Sequence, residues 1–404
     1  MKYNFTEIID RKGKDGLAID NVGKMPGFAP DGPDKDFDLI PMWIADMNFA
    51  TVPTIQTEII KRMNHPIYGY FEPREEYYNA IIEWHKNRNG FKDLKAEYIG
   101  YENGVLGSVI SGLNIFCSKG DNVLVHSPIY VRYRNILDNN GYKLVTSEMK
   151  IDDKNVYRID YEDMEKKIKE YKIHVLIFCS PHNPCGRVWE KEELLKISEI
   201  CEKYDVNIIS DEIWSDLILY NNKHIPFQMV SEYAKNHTIS IYAPSKTFNI
   251  SGIVGAYHII YNKTLRDRYR KESSLSNYNE MNLLSMYSLI GAYKKEGYDW
   301  LEQLLKVLGE NIEFAINFIK NHFEGINVCK PEGTYMIFVD CSKWCEKHNK
   351  TIDDIEKAAW KVGVSVQDGR IFGGKCHFRM NLALPLSRVE EAFNRLEKYV
   401  FNAK

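Results

Sequence analysis

The sequence predicts an α/β protein, in which a mostly parallel sheet sandwiched by helices forms a large domain and a smaller α+β domain follows. Between about residues 98 and 261, short apolar runs rich in β-branched residues alternate with amphipathic stretches, as is typical of parallel strands buried on both faces. After about residue 285, long helical patterns dominate and only a few strands interrupt them. The chain has 404 residues, more than one hydrophobic core usually holds.

These changes of pattern predict the domains and their elements. Residues 1–45 are expected to form an N-terminal arm joining the small domain, because GKMPGFAPDGPDKD is rich in turn-forming residues. We expect the large domain at 46–285 and the small domain at 286–404. The large domain's predicted strands are DNVLVHSP, YKLVTSEM, HVLIFCSP, VNIISDEI, HTISIYAPS and VGAYHIIY, with a helix at 190–204. The small domain's predicted elements are helices at 300–323 and 352–362 and strands at TYMIFVD and HFRMNLAL.

Composition and charge exclude several classes of protein. With 44% hydrophobic and 27% charged residues, the chain is typical of folded globular proteins and not of disordered ones. Its net charge of −3 provides no field that would attract nucleic acid or anionic lipid. The N-terminal segment is too polar for a signal peptide and no apolar run reaches ~20 residues, so we expect a cytoplasmic protein. The cysteines form no CxxC pair and the histidines no HExxH motif, so we expect no metal.

Polar residues follow four of the predicted strands at their carboxyl ends. In a parallel sheet these ends meet at one edge, and ligands bind in the crevice beyond them. We therefore expect the functional site at this edge. The segments concerned are Ser127-Pro128, Ser180-Pro181-His182-Asn183, Asp211-Glu212 and Pro244-Ser245-Lys246.

Each candidate at these strand ends also has a simpler explanation. Most lysines are solvated, although Lys246 follows an apolar strand and stands beside Pro and Ser. Asp211 serves equally well as a helix cap. A turn before proline explains Asn183, and a place in the core explains Tyr130.

Two further features carry chemical meaning. The turn Asn103-Gly104-Val105-Leu106-Gly107 lies between a strand and an apolar helix, so its amides would present an anion site at a helix N-terminus. Arg379 lies inside the apolar strand CHFRMNLAL, where a buried guanidinium requires a carboxylate or phosphate partner.

The order of these features along the chain resembles the fold-type I enzymes that depend on pyridoxal 5′-phosphate (PLP), the aminotransferase class I/II superfamily. The resemblance covers nearly the whole chain. Within that superfamily the sequence is most similar to carbon–sulfur β-lyases, namely cystathionine β-lyase of the maltose-regulon-modulating type and cystalysin. The motifs that carry the likeness are WIADMNFATVP, IYGYFEP, SPHNPCGRVW, SDEIWSD, SKTFNISG and GAYHII.

The resemblance implies a role for each candidate. Lys246 would form the Schiff base with PLP and carry the α-proton of the substrate. Asp211 would pair with the pyridine nitrogen, Asn183 would bind the ring hydroxyl, and Tyr130 would stack on the ring. Arg379 would bind the substrate α-carboxylate as a two-pronged fork.

The cofactor phosphate would be held from both subunits of a homodimer. Val105 and Leu106 would offer their amides and Ser245 its hydroxyl, while Tyr70 would reach the phosphate of the neighbouring subunit. Trp214 would lie at the cofactor, where relatives have Tyr or His. The resemblance also favours cis peptide bonds at Ser127-Pro128 and Asn183-Pro184.

Three other positions depart from the pattern of related enzymes. Ala243 stands where many aminotransferases have serine, and Val254 stands where they have an arginine for the phosphate. Asn48 replaces the Asp that is common in the lyases. We therefore expect less positive charge around this phosphate.

The sequence leaves several functions open. β-Elimination and transamination would both use Lys246, so this residue does not distinguish between them. The lyase-type motifs favour elimination of a thiolate from S-substituted cysteines such as L-cystathionine. A regulatory binding protein that retains the fold is an alternative, although it would not need Lys246, Asp211 and Arg379 together. A nicotinamide dehydrogenase is disfavoured, because no GxGxxG follows a strand.

Overall fold

A computed structural model describes residues 2–275 and 279–402. Its strands are β1 Ile40–Pro41, β2 Ile99–Glu102, β3 Asn122–Ser127, β4 Lys143–Glu148, β5 Lys150–Ile151, β6 Tyr157–Arg158, β7 Val175–Cys179, β8 Asn207–Asp211, β9 Thr238–Tyr242, β10 Ala256–Ile259, β11 Asn327–Val328, β12 Met336–Asp340, β13 Val364–Ser365, β14 Gln367–Asp368 and β15 His377–Asn381.

The α-helices lie between these strands and around them. They are α1 Leu17–Asp20, α2 Pro53–Met63, α3 Glu75–Arg88, α4 Val105–Phe116, α5 Val131–Asn139, α6 Tyr161–Tyr171, α7 Lys191–Tyr204, α8 Glu232–His237, α9 Lys263–Ser274, α10 Leu283–Ala292, α11 Lys295–His322, α12 Ser342–His348, α13 Ile352–Lys361 and α14 Leu386–Leu396. Short 3-10 helices lie at Ala96–Tyr98, Phe227–Met229, Ser251–Ile253 and Arg370–Phe372, and a π-helical turn at Glu397–Phe401.

The main sheet has the strand order β2-β10-β9-β8-β7-β3-β4. Strands β9, β8, β7, β3 and β4 are parallel neighbours, and β10 runs antiparallel to both β2 and β9. Successive residues of one strand point to opposite faces, so Leu176 and Ile177 of β7 belong to different apolar clusters. One cluster includes α4 and the other α6 and α7, which confirms the predicted mostly parallel sheet with helices on both faces.

The predicted strands and helices are present, with one helix boundary displaced. Each of the six apolar runs predicted in the large domain contains a strand. Helix α11 begins at Lys295, before the expected start at 300, although Gly297 lies in its first turn. A Cβ atom at position 297 would lie 1.8 Å from the carbonyl oxygen of Ala292, so glycine here permits the close approach of α10.

A second sheet has the order β11-β12-β15-β14, and β15 carries Arg379. The N-terminal segment reaches this part of the chain, since β1 pairs in parallel with β13 through Ile40 and Val364. Such a contact is what the predicted arm requires, and the division into arm, large domain and small domain remains a prediction. Among the described residues, no helix combines the length and apolar character needed to cross a membrane.

Three peptide bonds before proline are cis. They are Ser127–Pro128, Ser180–Pro181 and Asn183–Pro184. The first and the third confirm the sequence prediction, and the second was not predicted. All three directly follow, or lie close after, the carboxyl ends of β3 and β7.

Candidate active site

A cavity of about 300 Å³ opens beyond the carboxyl ends of the parallel strands. Polar groups from several strand ends meet apolar walls in it, as is usual for small-molecule sites. Its lining residues are Ala45, Asn103, Gly104, Val105, Leu106, Gly107, Tyr130, Tyr133, Cys179, Asn183, Asp211, Ile213, Trp214, Ala243, Ser245, Lys246, Ser251, Val254 and Gly255.

Lys246 enters the cavity from the turn after β9. Its Nζ donates to the carbonyl oxygen of Ala45 at 3.0 Å and to Oγ of Ser251 at 3.3 Å. Burial lowers the pKa of Lys246 to about 8, and the nearby carboxylate of Asp46 opposes that shift. At a pH only slightly above 7, the amine is therefore neutral in a large fraction of the molecules, and the neutral amine can act as a nucleophile or base.

Asp211 is the last residue of β8 and is buried. Its Oδ2 accepts a 2.5 Å hydrogen bond from the hydroxyl of Tyr133, and its Oδ1 accepts one from the amide of Ile213 at 3.2 Å. Burial raises the pKa of Asp211 to about 6, against the opposing effect of the Tyr133 hydrogen bond. The carboxylate is thus still ionised at neutral pH, where it can pair with a cationic ring N–H.

The neighbouring Glu212 does not line the cavity. Its Oε2 accepts from the hydroxyl of Tyr242 at 2.7 Å and lies 2.7 Å from Nε2 of His224, while Oε1 accepts from Ser210 at 2.9 Å. These partners saturate a fully buried carboxylate and hold it below the turn after β8. Of the two acidic residues at this strand end, only Asp211 faces the cavity.

One end of the cavity is a candidate anion site. Gly104 precedes α4 with φ of +85°, a left-handed conformation that suits glycine, and it aims the amides of Val105 and Leu106 along the start of the helix. The hydroxyls of Ser245 and Ser251 lie on the same lining surface. The described lining residues include no arginine, and Val254 occupies the position where many aminotransferases have an arginine for the phosphate.

Three aromatic residues, Tyr130, Tyr133 and Trp214, lie in the wall of the cavity. Tyr130 directly precedes α5, and its ring packs edge-on against that of Tyr133 at 5.5 Å. Trp214 is buried and packs edge-on against Tyr335 at 4.9 Å. They provide flat surfaces of the kind that an aromatic ligand stacks on.

Arg379 lies directly behind the cavity wall. Its Nη1 donates to Oδ1 of Asn183 at 3.2 Å, its Nη2 donates to the carbonyl oxygen of Trp43 at 3.1 Å, and the ring of Phe372 lies 4.3 Å from the guanidinium. Its buried Nε has no hydrogen-bond partner among residues 2–275 and 279–402. Burial lowers the pKa of Arg379 to about 10, so the guanidinium stays cationic at neutral pH. A carboxylate would provide the acceptor that this cation lacks.

Tyr70 is not brought to the cavity of its own chain. It lies between α2 and α3, and its side chain is fully exposed to solvent, while the neighbouring Ile67 and Tyr68 are more than half exposed. The other predicted cofactor residues line the cavity, and Arg379 contacts it through Asn183.

Some cavity residues were missed by sequence reasoning. Tyr133 lies in the first turn of α5, three positions after Tyr130, which caps that helix, and this spacing could have indicated it. Ala45 accepts from Lys246 through its backbone carbonyl oxygen, for which the sequence holds no signal. Cys179 is buried at the end of β7, and its Sγ lies 3.4 Å from the carbonyl oxygen of Pro181.

These groups together fit PLP. The amine of Lys246 can bond to its aldehyde carbon, the ionised Asp211 can pair with its pyridinium nitrogen, and the start of α4 can hold its phosphate. The Nε of Arg379, which has no partner in the described part of the chain, leaves a donor for a carboxylate close by.

The comparisons with known proteins agree with this fit. Residues 38–396 match the family described as aminotransferase class I and II. Cystathionine beta-lyase PatB of Bacillus subtilis is 30% identical over 397 residues, covering 98% of this chain and 99% of that protein.

Two solved structures share the whole fold. A PLP-bound protein from Clostridium difficile 630, described provisionally as an aminotransferase, is 34% identical with a TM-score of 0.88, covering 98% of this chain and 99% of that one. Cystalysin from Treponema denticola, which contains PLP, is 31% identical with a TM-score of 0.88 and covers 98% of each chain.

Proposed function

Because the chain belongs to the aminotransferase class I and II family of PLP-dependent enzymes, we propose that it is a carbon–sulfur β-lyase. Its substrates would be L-cystathionine or related S-substituted cysteines. The named lyases among its relatives support this assignment.

One observation carries the choice of substrate. The charged side chains among the described lining residues are those of Lys246 and Asp211, and both have roles toward the cofactor. The remaining wall is neutral, with Tyr130 and Trp214 in it. A neutral wall accepts a thioether side chain, whereas aspartate or glutamate would need a cationic partner for the distal carboxylate.

The residues of this chain would share the work as follows. Arg379 would bind the substrate α-carboxylate and so fix the Cα–H bond toward Lys246, whose neutral amine would take the proton. Asp211 would keep a proton on the pyridine nitrogen, and Asn183 would hold the ring hydroxyl. PLP, when bound, supplies the electron sink that accepts the electron pair of the broken Cα–H bond.

The overall reaction is an elimination followed by hydrolysis. The Cα–H and Cβ–S bonds break, the thiolate leaves and takes up a proton, and one water converts the remaining enamine to pyruvate and ammonia. Water is the co-substrate, and no oxidant is consumed. A thiolate is a stable leaving group, so the site needs no additional acid for it.

The reaction can be tested directly with L-cystathionine. We expect the PLP-loaded enzyme to release pyruvate, ammonia and thiol in equal amounts, and faster than it transfers amino groups to 2-oxo acids. Keto-acid exchange without pyruvate release would instead establish transamination. That alternative is supported by the description of the family itself.

We further propose a cytoplasmic homodimer in which each active site is shared. The exposed aromatic and apolar side chains of Ile67, Tyr68 and Tyr70 would contact the partner, and the Tyr70 hydroxyl would bind the partner's cofactor phosphate. This would compensate for the missing arginine at position 254. The eight free cysteines suit a reducing compartment.

A further inference from the structure

Residues 43–49, here called the 43–49 loop, touch both cationic groups of the candidate site through backbone oxygens. The carbonyl of Ala45 accepts from Nζ of Lys246 at 3.0 Å, and the carbonyl of Trp43 accepts from Arg379 at 3.1 Å. The position of this loop therefore decides where the lysine amine and the guanidinium point.

Two asparagines hold the loop from the interior. Nδ2 of Asn381 donates to the carbonyls of Ile44 at 2.9 Å and Asp46 at 2.8 Å. Nδ2 of Asn249 donates to the carbonyls of Met47 and Phe49, at 3.0 and 3.1 Å. These bonds fix the backbone but leave the Asp46 carboxylate uncompensated.

Arg11, from the N-terminal segment, closes the loop on its other side. Its Nη2 pairs with Oδ2 of Asp46 at 2.5 Å, and its Nη1 donates to the carbonyl of Met47 and to Oδ1 of Asn48, both at 3.1 Å. The side chains of Arg11 and Asp46 are 19% and 28% exposed, so water screens the pair only in part. Because position 48 is a neutral amide, Arg11 faces one carboxylate here and neutralises it.

We propose that Arg11 is a positioning residue for Lys246: by neutralising Asp46 and clamping the 43–49 loop, it keeps the lysine amine available for the cofactor. The inference rests on the proposed function only in taking Lys246 as the PLP lysine. It gives the N-terminal segment a role in the chemistry that the sequence did not indicate.

The charges around Lys246 define how this would work. Asp46 on the loop and Asp211 at the end of β8 favour the protonated form of the lysine amine. Arg379 on β15 favours the neutral form. The Tyr130 hydroxyl lies near Asp211 and Arg379. Removing Arg11 leaves Asp46 as a full negative charge beside the amine. The pKa of Lys246 then rises from about 8, and less of the amine is neutral at pH 7.

The test uses the full-length protein freed of PLP. Reductive methylation with formaldehyde, followed by peptide mass spectrometry, gives the reactivity of Lys246 as a function of pH. We expect Arg11→Met to move the midpoint up by about one pH unit, equivalent to ~10-fold less labelling at pH 7. Arg11→Lys should restore most of the reactivity, because it returns a cation to the same place.

The double variant Arg11→Met with Asp46→Asn distinguishes charge from packing. It removes both charges, so its midpoint should return toward that of the wild type. Arg388→Met is the matched control, since Arg388 pairs with Asp38 in the N-terminal segment at 2.5 Å without touching the loop. Its labelling curve should match the wild type.

An unchanged midpoint in Arg11→Met overturns the proposal, and so does a double variant that remains as shifted as the single one. Both results concern Lys246 in the protein without cofactor or substrate. They are therefore independent of whether pyruvate release establishes the lyase reaction.

Discussion

The hydroxyl of Tyr133 donates a 2.5 Å hydrogen bond to Oδ2 of Asp211, deep under the candidate cofactor site. Burial and the nearby Asp211 charge raise the pKa of Tyr133, so the phenol keeps its proton and acts as a donor. Its bond favours the ionised form of Asp211, whereas burial disfavours it. The charge that is to stabilise a pyridinium therefore depends on a tyrosine from a different element, α5.

We expect Tyr133→Phe to lower kcat about tenfold. A hydrogen bond to a charged group contributes roughly 1.5–3 kcal/mol, and its loss raises the pKa of Asp211 further above about 6. Steady-state kinetics across pH 5–9 should show the lower plateau and an acid limb displaced to higher pH. Tyr233→Phe serves as the control, because Tyr233 donates only to the carbonyl of Val206, away from the cavity. Wild-type kinetics in Tyr133→Phe would show that Asp211 does not need this donor.

Borohydride reduction of the yellow PLP-loaded protein should fix the cofactor on one lysine. We expect peptide mapping to find that label on Lys246, because its amine lies in the cavity opposite Asp211 and the start of α4. Lys246→Ala should bind PLP without a reducible bond. A label on any other lysine contradicts the assignment.

The rate at which the PLP-free protein takes up the cofactor should depend on pH with a midpoint near 8. Burial lowers the pKa of Lys246 to about 8, so the amine is protonated and unreactive below that pH and neutral above it. Stopped-flow absorbance at pH 6–10 measures the uptake rate. A midpoint near the ordinary value for lysine would mean that the amine is solvated in the protein without cofactor.

Arg379→Lys should mainly weaken substrate binding. Lysine keeps the charge but loses the planar pair of donors that now binds Asn183 and the Trp43 carbonyl. We expect KM for L-cystathionine to rise roughly 10–100-fold with a smaller change in kcat. PLP absorbance should be unchanged. Equal losses in cofactor content and activity would point instead to a structural role.

Tyr70→Phe tests the shared active site. If the hydroxyl binds the partner's phosphate, the variant should remain a dimer by light scattering but bind PLP about tenfold more weakly, as expected for one lost hydrogen bond to a charged group. Tyr68→Phe, on the same exposed segment, is the control. Unchanged PLP affinity in Tyr70→Phe would remove the cross-subunit contact.

Much of the fold could be predicted from local patterns. The β-branched runs that form β3, β7 and β8 are apolar on both faces, and this pattern identifies buried parallel strands without reference to the rest of the chain. The antiparallel direction of β10 has no such signal, because it depends in part on pairing with β2, which is distant in sequence. Helix α11 begins before its predicted start, and the close packing of Gly297 in its first turn against Ala292 has no local sequence signal.

The residues of the candidate site could also be predicted in part from local sequence, whereas their contacts could not. The identity of the reactive groups at the strand ends follows from local sequence, since Lys246, Asp211 and Asn183 each follow an apolar run and their chemistry is set by residue type. The partner of each group depends on the folded chain: Tyr133 bonds to Asp211, the Ala45 carbonyl to Lys246, and Arg11 to Asp46. Arg379 and Asn183 are 196 positions apart, yet their side chains meet. Such contacts arise from the packing of whole elements, and that packing determines how far each group is desolvated and hence its charge.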